Sequence, residues 1–256
     1  MQLPARHSEI LEIARASGRV SVDDLARHFA VASQTIRRDL GELADQGHLE
    51  RTHGGAVPRQ GMVNIAYERR RALNAAGKAA IGAAVAAAIP ENSAIILTLG
   101  TTTEAVAQAL LRHRNLTVIT NNMNVANILG ANPGCEIVVT GGSLRRADGG
   151  LVGALTAEFF AQFKVDIAVL GASALDPDGD LLDYDLAEVR VSRTILSQAR
   201  RSFVVADHMK LARSAPARIA SLSEVTRLFT DQPLPAPLAK RCANWGCQVT
   251  IAPPEG

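Results

Sequence analysis

From residue 75 onward, short continuous apolar runs alternate with stretches of helical periodicity, and this alternation narrows the fold class more than any other feature. The runs cover 94–99, 116–120, 136–140, 165–170 and 203–206, and they are rich in Ile, Val and Leu. A strand that is apolar along its whole length is buried on both faces, and parallel strands need crossover connections, usually helices. Helical patterns fall where those crossovers belong, at 75–89, 104–113, 123–130, 155–163 and 185–200, with shorter elements at 221–230, 235–245 and 248–251. The expected architecture is α/β: a mostly parallel, Rossmann-like sheet with helices on both faces.

In such a sheet, ligands bind outside the carboxyl ends of the strands. Small polar residues collect there. Gly100-Thr101-Thr102-Thr103 follows the first run and opens a helix. A close glycine turn, three hydroxyls and the free N–H groups of a helix start together suit a phosphate. Thr120-Asn121-Asn122 follows the second run, Thr140-Gly141-Gly142 the third, and Asp207 to Lys210 the last, with Lys210 available as a counter-charge. Singly these are ordinary turn residues. Together they predict a pocket for a phosphorylated ligand. There is no G-x-x-x-x-G-K-[ST], and no G-x-G-x-x-G after a strand, so ATP and NAD are disfavoured and no cofactor is expected. Cys135, Cys242 and Cys247 contain no C-x-x-C pair and read as small hydrophobes of a reducing cytoplasm. The six histidines show no metal-ligand spacing, so no metal is expected.

Ahead of this region lies a different pattern. Residues 5–17 form a first helix with Ile10, Leu11, Ile13 and Ala14 inward. A second helix begins after Ser21, a natural N-cap with Asp24 three residues on as a weak capping-box partner. In the third, Ile36, Leu40 and Leu43 fall at i, i+4 and i+7 on one apolar face. Gln34, Thr35, Arg37 and Arg38 open that helix largely off the stripe. Two helices joined by a short turn, the second opening with amide, hydroxyl and guanidinium groups, are the form of a helix-turn-helix. Arginine reads guanine bidentately and glutamine reads adenine, so these side chains suit a major groove of double-stranded operator DNA. The helix is expected to end near Gln46, with Gly47 in the left-handed C′ conformation. Residues 48–56 then form a hairpin, the wing, from which Arg51 and His53 reach phosphate. From Pro58 to Asn74 the pattern breaks at Gly61 and the run Glu68-Arg69-Arg70-Arg71. This reads as a linker ending in a short helix. Its arginines form a solvated or subunit-facing basic face, with DNA backbone as the alternative. The expected division is 1–58 for DNA binding, 59–74 for the linker and 75–256 for the α/β domain.

Charge adds little. The net charge is +2, and residues 1–60 carry eight arginines against eight acids, so a basic surface must arise from placement alone. There is neither a run of bilayer-spanning length nor a signal peptide at the start, which makes a cytoplasmic protein without membrane contact the expectation.

The string TIRRDL, followed by the glycine turn and RTHGGA, resembles the amino-terminal domain of the DeoR family of bacterial transcriptional regulators over residues 3–58. LGTTTEAVAQAL, VITNNMNVAN, VVTGGSLRR, VDIAVLGAS and VVADHMK resemble the sugar-phosphate sensor domain of that family, which is related to ribose-5-phosphate isomerase. The resemblance implies a winged helix-turn-helix joined to an isomerase-like sensor, acting as a homo-oligomeric repressor (dimer or tetramer) and not as an enzyme. It places the ligand phosphate against Gly100–Thr103 with help from Lys210, and makes Asn121, Asp183 and Glu188 candidates for ligand hydroxyls. With Gly141 and Gly142 these complete the candidate effector site. TNNMNVAN, RRADGGLVG and DGDLLDYDLAEVR are closest to the branch of the family that governs glycerol metabolism, implying glycerol 3-phosphate as an effector that releases the operator. Another sugar phosphate is the alternative. Two departures stand out: Ala32-Ser33 replaces the family's serine-proline, so either Ser33 takes the cap or the recognition helix starts weakened, and Met209 replaces a serine. Two readings from other classes remain, a sugar-phosphate isomerase with a fused DNA-binding domain and a structural DNA binder that ignores ligands. Isomerisation is disfavoured because 171–174 reads Gly-Ala-Ser-Ala, with no carboxylate until Asp176.

Overall fold

The structure, a computed structural model, describes residues 5–17, 19–46, 48–52, 54–58 and 67–254. Gly47, His53 and Gly61, named above, lie outside the described residues. The chain forms two compact units, Met1–Ile65 and Ala66–Gly256.

The first unit runs α1 (Ala5–Ser17), β1 (Val20–Ser21), α2 (Val22–Phe29), α3 (Ser33–Asp45), β2 (Leu49–Thr52) and β3 (Gly55–Pro58). Strands β1 and β2 flank β3, both antiparallel to it. Ile10 and Ala14 of α1, Leu25 of α2, and Ile36, Leu40 and Leu43 of α3 close one core, lidded by Leu49 and Ala56. This is the winged helix-turn-helix expected from the periodicity. Ser21 caps α2 by accepting the Asp24 N–H at 3.0 Å. Its hydroxyl in turn donates to the Asp24 carboxylate at 2.7 Å. Of the two openings possible for α3, the uncapped one is realised. Ala32 is the N-cap and makes no side-chain bond, so Ser33 is already inside the helix. At the other end His48 N–H reaches the Leu43 carbonyl at 2.9 Å, the long bond of a Schellman ending. The buried Asp39 carboxylate fastens α3 to α1, accepting Arg6 Nε at 2.7 Å and Nη2 at 3.0 Å. Burial opposes its charge, but Arg6 and His7 outweigh it and hold the carboxyl below the usual range.

The second unit opens with α4 (Tyr67–Ala72) and α5 (Ala75–Ala88). It continues β4 (Ala94–Leu97), α6 (Thr101–Ala109), β5 (Leu116–Thr120), α7 (Met123–Leu129) and β6 (Cys135–Val139). A hairpin, β7 (Ser143–Arg145) and β8 (Gly150–Val152), leads to α8 (Ala154–Phe160) and β9 (Val165–Gly171). Then come β10 (Ala174–Leu175), β11 (Asp180–Asp183), α9 (Leu186–Gln198), β12 (Ala199–Val205), β13 (Ala217–Ser221), β14 (Arg227–Thr230), α10 (Ala236–Trp245) and β15 (Gln248–Ile251). Seven strands form one sheet in the order β15-β14-β12-β9-β4-β5-β6, and every pairing in it is parallel.

Alternate residues of each strand face opposite layers, as strand geometry requires. Ile95, Leu97, Val118, Ile167 and Val169 meet Ile81 and Val85 of α5, Val106 of α6 and Val125 of α7. Ile96, Ile119, Ala168 and Leu170 meet Phe160 of α8 and Val191 and Ile195 of α9. Helices α5 and α6 approach closely at Gly82, where an added Cβ would stand 2.6 Å from the Ala105 carbonyl oxygen. The expected α/β layering is met. Two antiparallel additions were not anticipated, the β7–β8 hairpin and a small β10-β11-β13 sheet. Their strands run two to five residues, and the shortest are too short to show any periodicity.

Strand order decides where a ligand can go. From β4 the chain moves outward through β5 to β6, and from β9 it moves outward on the other side through β12 and β14 to β15. The order therefore reverses between β4 and β9, which opens a crevice at their carboxyl ends.

Candidate functional site

In the first unit, α3 turns Ile36, Asp39 and Leu40 inward and leaves Gln34, Arg37 and Arg38 exposed, with Thr35 half-buried between them. Arg38 holds only an exposed i,i+4 pair with Glu42, Nε to Oε1 at 2.9 Å. Such a pair is worth little, so the guanidinium exchanges it readily for a base edge or phosphate. Arg51 on β2 donates to the Arg37 carbonyl at 3.1 Å, which ties the wing to the start of α3. Five of the six residues expected to touch DNA are thus gathered around one helix start and its wing; His53 is outside the described residues.

In the second unit a cleft of about 820 Å³, counting the solvent at its mouth, opens at the crevice between β4 and β9. Gly100, Thr101, Thr102 and Thr103 form one wall, with Asn121, Asp183, Glu188 and Lys210 around it. Eight of the ten residues expected at the effector site therefore line one cavity. Gly141 and Gly142 do not line it. Gly141 lends its carbonyl to the Thr156 hydroxyl at 2.9 Å. Gly142 has φ +138°, and a Cβ there would stand 2.3 Å from Thr156 Oγ1 and 2.9 Å from the Val152 carbonyl oxygen. Gly142 lets the chain enter the hairpin, whereas a Cβ at Gly141 would meet nothing within 4 Å.

One end of the cleft is cationic. Gly100, the N-cap of α6, has φ +137° and no side chain to cap the helix. The N–H groups of the first turn therefore lack intrahelical partners and carry the positive end of the dipole. The Thr103 hydroxyl donates back within the turn, to the Gly100 carbonyl at 2.6 Å or the Thr98 carbonyl at 2.8 Å. Lys210 follows β12 on a short 3₁₀ turn, His208–Ala212, in which the Lys210 N–H donates to the Asp207 carbonyl at 2.9 Å. Burial and the neighbouring Arg213 push the Lys210 ammonium down to about 7, with Arg70 and Lys78 acting the same way and Asp207 opposing. Burial also lowers Lys78 and Arg213. Arg213, Arg70 and Lys78 crowd Lys210, offset in part by the buried Asp207 carboxylate, whose Oδ1 has no hydrogen-bond partner.

Acceptors line the cleft as well. Asn121 uses its amide N–H to hold the Leu151 carbonyl at 3.1 Å, and its Oδ1 is buried without a partner. Asp183 accepts the Ser173 hydroxyl at 2.9 Å and the Tyr184 N–H at 2.7 Å. Burial, with Asp183 alongside, pushes the Glu188 carboxyl up to about 7, although Arg145 pulls it down. Arg145 is engaged by carboxylates. It pairs bidentately with Asp148, at 2.9 and 2.6 Å, and also with Asp185 and Glu188.

Three contributors were missed in the sequence. Tyr67 and Arg70, both on α4, line the cleft. Lys78, inside an alanine-rich helix, is buried and donates to the Arg70 and Leu73 carbonyls. Only the four-residue spacing of Arg70, Asn74 and Lys78 hinted at a common face. Among the described residues no His, Cys, Asp and Glu cluster has the makings of a metal site, and no helix is long and apolar enough to cross a membrane.

Comparison with known proteins agrees with both units. Residues 6–60 match the DeoR-like helix-turn-helix domain and residues 73–232 the DeoR C terminal sensor domain. The chain is 43% identical to the glycerol-3-phosphate regulon repressor of Escherichia coli (strain K12), over 92% of this chain and 93% of that one. It is 41% identical to the HTH-type transcriptional repressor CsqR of the same organism, over 98% and 95%. Among solved structures it is similar to ribose 5-phosphate isomerase A from Neisseria gonorrhoeae, at 14% identity over 52% of each chain with a TM-score of 0.37, a partial likeness of outline that bears on no activity. With both domain matches in sequence order and the recognition helix, wing and sheet-end cleft in place, the chain belongs to the DeoR family of helix-turn-helix repressors.

Proposed function

We propose that this repressor controls genes for glycerol use and is released from its operator when glycerol 3-phosphate enters the cleft of the second unit. The observation that carries the reading is the cationic side of the cleft: an uncapped helix start with Lys210 and Arg70 lining the space, and Lys78 and Arg213 close to Lys210. A phosphate dianion neutralises that field, while the ligand hydroxyls donate to Asn121 Oδ1, Asp183 and Glu188. The name of the 43% identical relative points to glycerol 3-phosphate among the phosphorylated polyols that fit such a site.

Release follows by population shift. A ligand that binds one sensor conformation better than another biases the equilibrium by its differential affinity. One helix-turn-helix is a small interface for an operator-specific protein. A homo-oligomer presenting paired recognition helices about 34 Å apart matches successive major grooves, and the ligand-bound state departs from that spacing.

A thermal-shift titration with glycerol 3-phosphate beside fructose, ribose and tagatose phosphates tests the reading. Selective stabilisation by glycerol 3-phosphate is expected, followed by operator release at the same concentrations. A preference for a sugar phosphate keeps the repressor and discards the glycerol assignment. One observation favours a second reading: Glu188, near 7 in a cleft, has the basicity of a general base for isomerisation. Its Oε1 is paired with Arg145, however. Turnover of ribose 5-phosphate well above background in a ketose assay would establish it.

A further inference from the structure

We infer that Arg70 binds the effector phosphate directly, so that α4, the first described element after residues 59–66, is the part of the sensor that registers an occupied cleft. The inference rests on the phosphate-binding reading above and adds to it a residue and a route.

Arg70 lines the cleft with its side chain only 21% exposed, and its Nε is buried with no hydrogen-bond partner. A buried, charged donor without an acceptor is costly and rare in folded proteins. The nearest carboxylate does not answer it. Asp148 Oδ2 is 3.6 Å from the Arg70 guanidinium, and both Asp148 oxygens are already engaged by the fork of Arg145, with Gly150 N–H on Oδ1. Arg70 is therefore held in the cavity with its Nε–H unanswered and its carboxylate neighbour taken. Lys210, Arg213 and Lys78 add like charge on the same side. An anion with several oxygens supplies what is missing, because a guanidinium fork binds phosphate bidentately.

The backbone of α4 is tied to the same floor. Tyr67 donates its hydroxyl to Glu104 Oε2 at 2.8 Å, in the first turn of α6. Lys78 donates to the Arg70 and Leu73 carbonyls, and the Thr101 hydroxyl lies 3.5 Å from the Arg70 carbonyl. The helix start that faces the ligand and the helix that continues the chain from the DNA-binding unit thus share hydrogen bonds. A phosphate drawing on Arg70 and on α6 shifts α4 with them.

The test uses the full-length protein and three substitutions, Arg70→Ala, Arg70→Gln and Arg70→Lys. Calorimetry measures binding of glycerol 3-phosphate and of inorganic phosphate. Fluorescence anisotropy measures release of a DNA fragment selected in vitro by the wild-type protein. Arg70→Ala is expected to weaken both ligands by the same factor, at least tenfold, and to raise the concentration needed for release at least as much. DNA affinity without ligand stays within about twofold. Arg70→Lys, which keeps charge without the fork, falls between wild type and Arg70→Gln. Wild-type ligand affinity in a folded Arg70→Ala protein overturns the inference and leaves the repressor reading intact. If Arg70→Ala does not fold, equal affinities of Arg70→Gln and Arg70→Lys overturn it instead. Weakened binding with an unchanged release concentration removes α4 as the registering element. A wild-type protein that binds no phosphorylated compound, nor inorganic phosphate, defeats the proposed function and the inference together.

Discussion

At the scale of single residues, the two units use cations in opposite ways. On α3, Arg37 and Arg38 stand exposed and keep their charge in water. Arg38→Ala is expected to relax operator specificity at one base pair by about 1–3 kcal/mol, with glycerol 3-phosphate binding unchanged; unaltered operator affinity and specificity would mean that another face reads the DNA. In the cleft, Lys210 has given up hydration for position. Its ammonium, lowered from the usual 10.5 to about 7, makes the unfolded chain bind more protons at this site between those pH values. Its contribution to stability therefore rises with pH through that window. Lys210→Met should raise Tm at pH 7 by about 2–4 °C for each kcal/mol relieved, an advantage that shrinks toward pH 10, while ligand binding is lost. A phosphate bound beside Lys210 is expected to restore the proton. Calorimetry at pH 8 in buffers of different ionisation enthalpy should show uptake of a fraction of a proton on binding; no uptake contradicts Lys210 as counter-charge.

At the scale of elements, α3 starts without a cap. Ala32 has the extended backbone of an N-cap residue, φ −64° and ψ 144°, but no oxygen to offer. Ala32→Ser supplies one and is expected to stabilise the first unit by about 0.5–2 kcal/mol, read by chemical denaturation, with the order of operator preferences unchanged. The strands were legible because an unbroken apolar run buried on both faces leaves few alternatives: 116–120 coincides with β5, and 165–170 with all but the last residue of β9. The helix-turn-helix was legible because Ile36, Leu40 and Leu43 repeat at helical spacing and are fully buried. The wall of the cleft at Gly100–Thr103 was legible because a glycine and three threonines follow a strand and open a helix. Element α4 was not. Glu68-Arg69-Arg70-Arg71 has the composition of a solvated run, and whether its second arginine points to water or into a cleft is set by tertiary hydrogen bonds from Tyr67 and Lys78, which no local pattern encodes. Nor does an alanine-rich helix announce that its one lysine is buried. Burial here follows from partners on the preceding segment, the Arg70 and Leu73 carbonyls, eight and five residues back.

At the scale of the molecule, each unit has its own core: Ile10 through Ala56 in the first, and the layers about the seven-stranded sheet in the second. Separate cores predict separate melting. Calorimetry should resolve two transitions, and glycerol 3-phosphate at a hundred times its Kd should raise only the larger, by about 2.7 kcal/mol. A single transition that moves as a whole would show the two units to be energetically coupled.

The reversal of strand order between β4 and β9 has a consequence for the newborn chain. The cleft draws on Arg70, Gly100, Asn121, Asp183 and Lys210, so it does not exist until the polypeptide has been made almost to its last strands. The winged helix is complete by Pro58. On a ribosome adding about 5–20 residues each second, the part that grips DNA is finished on the order of ten seconds before the part that lets go. During that interval each molecule carries the DNA-binding fold without the cleft proposed to control it, and synthesis sets when the two first coexist.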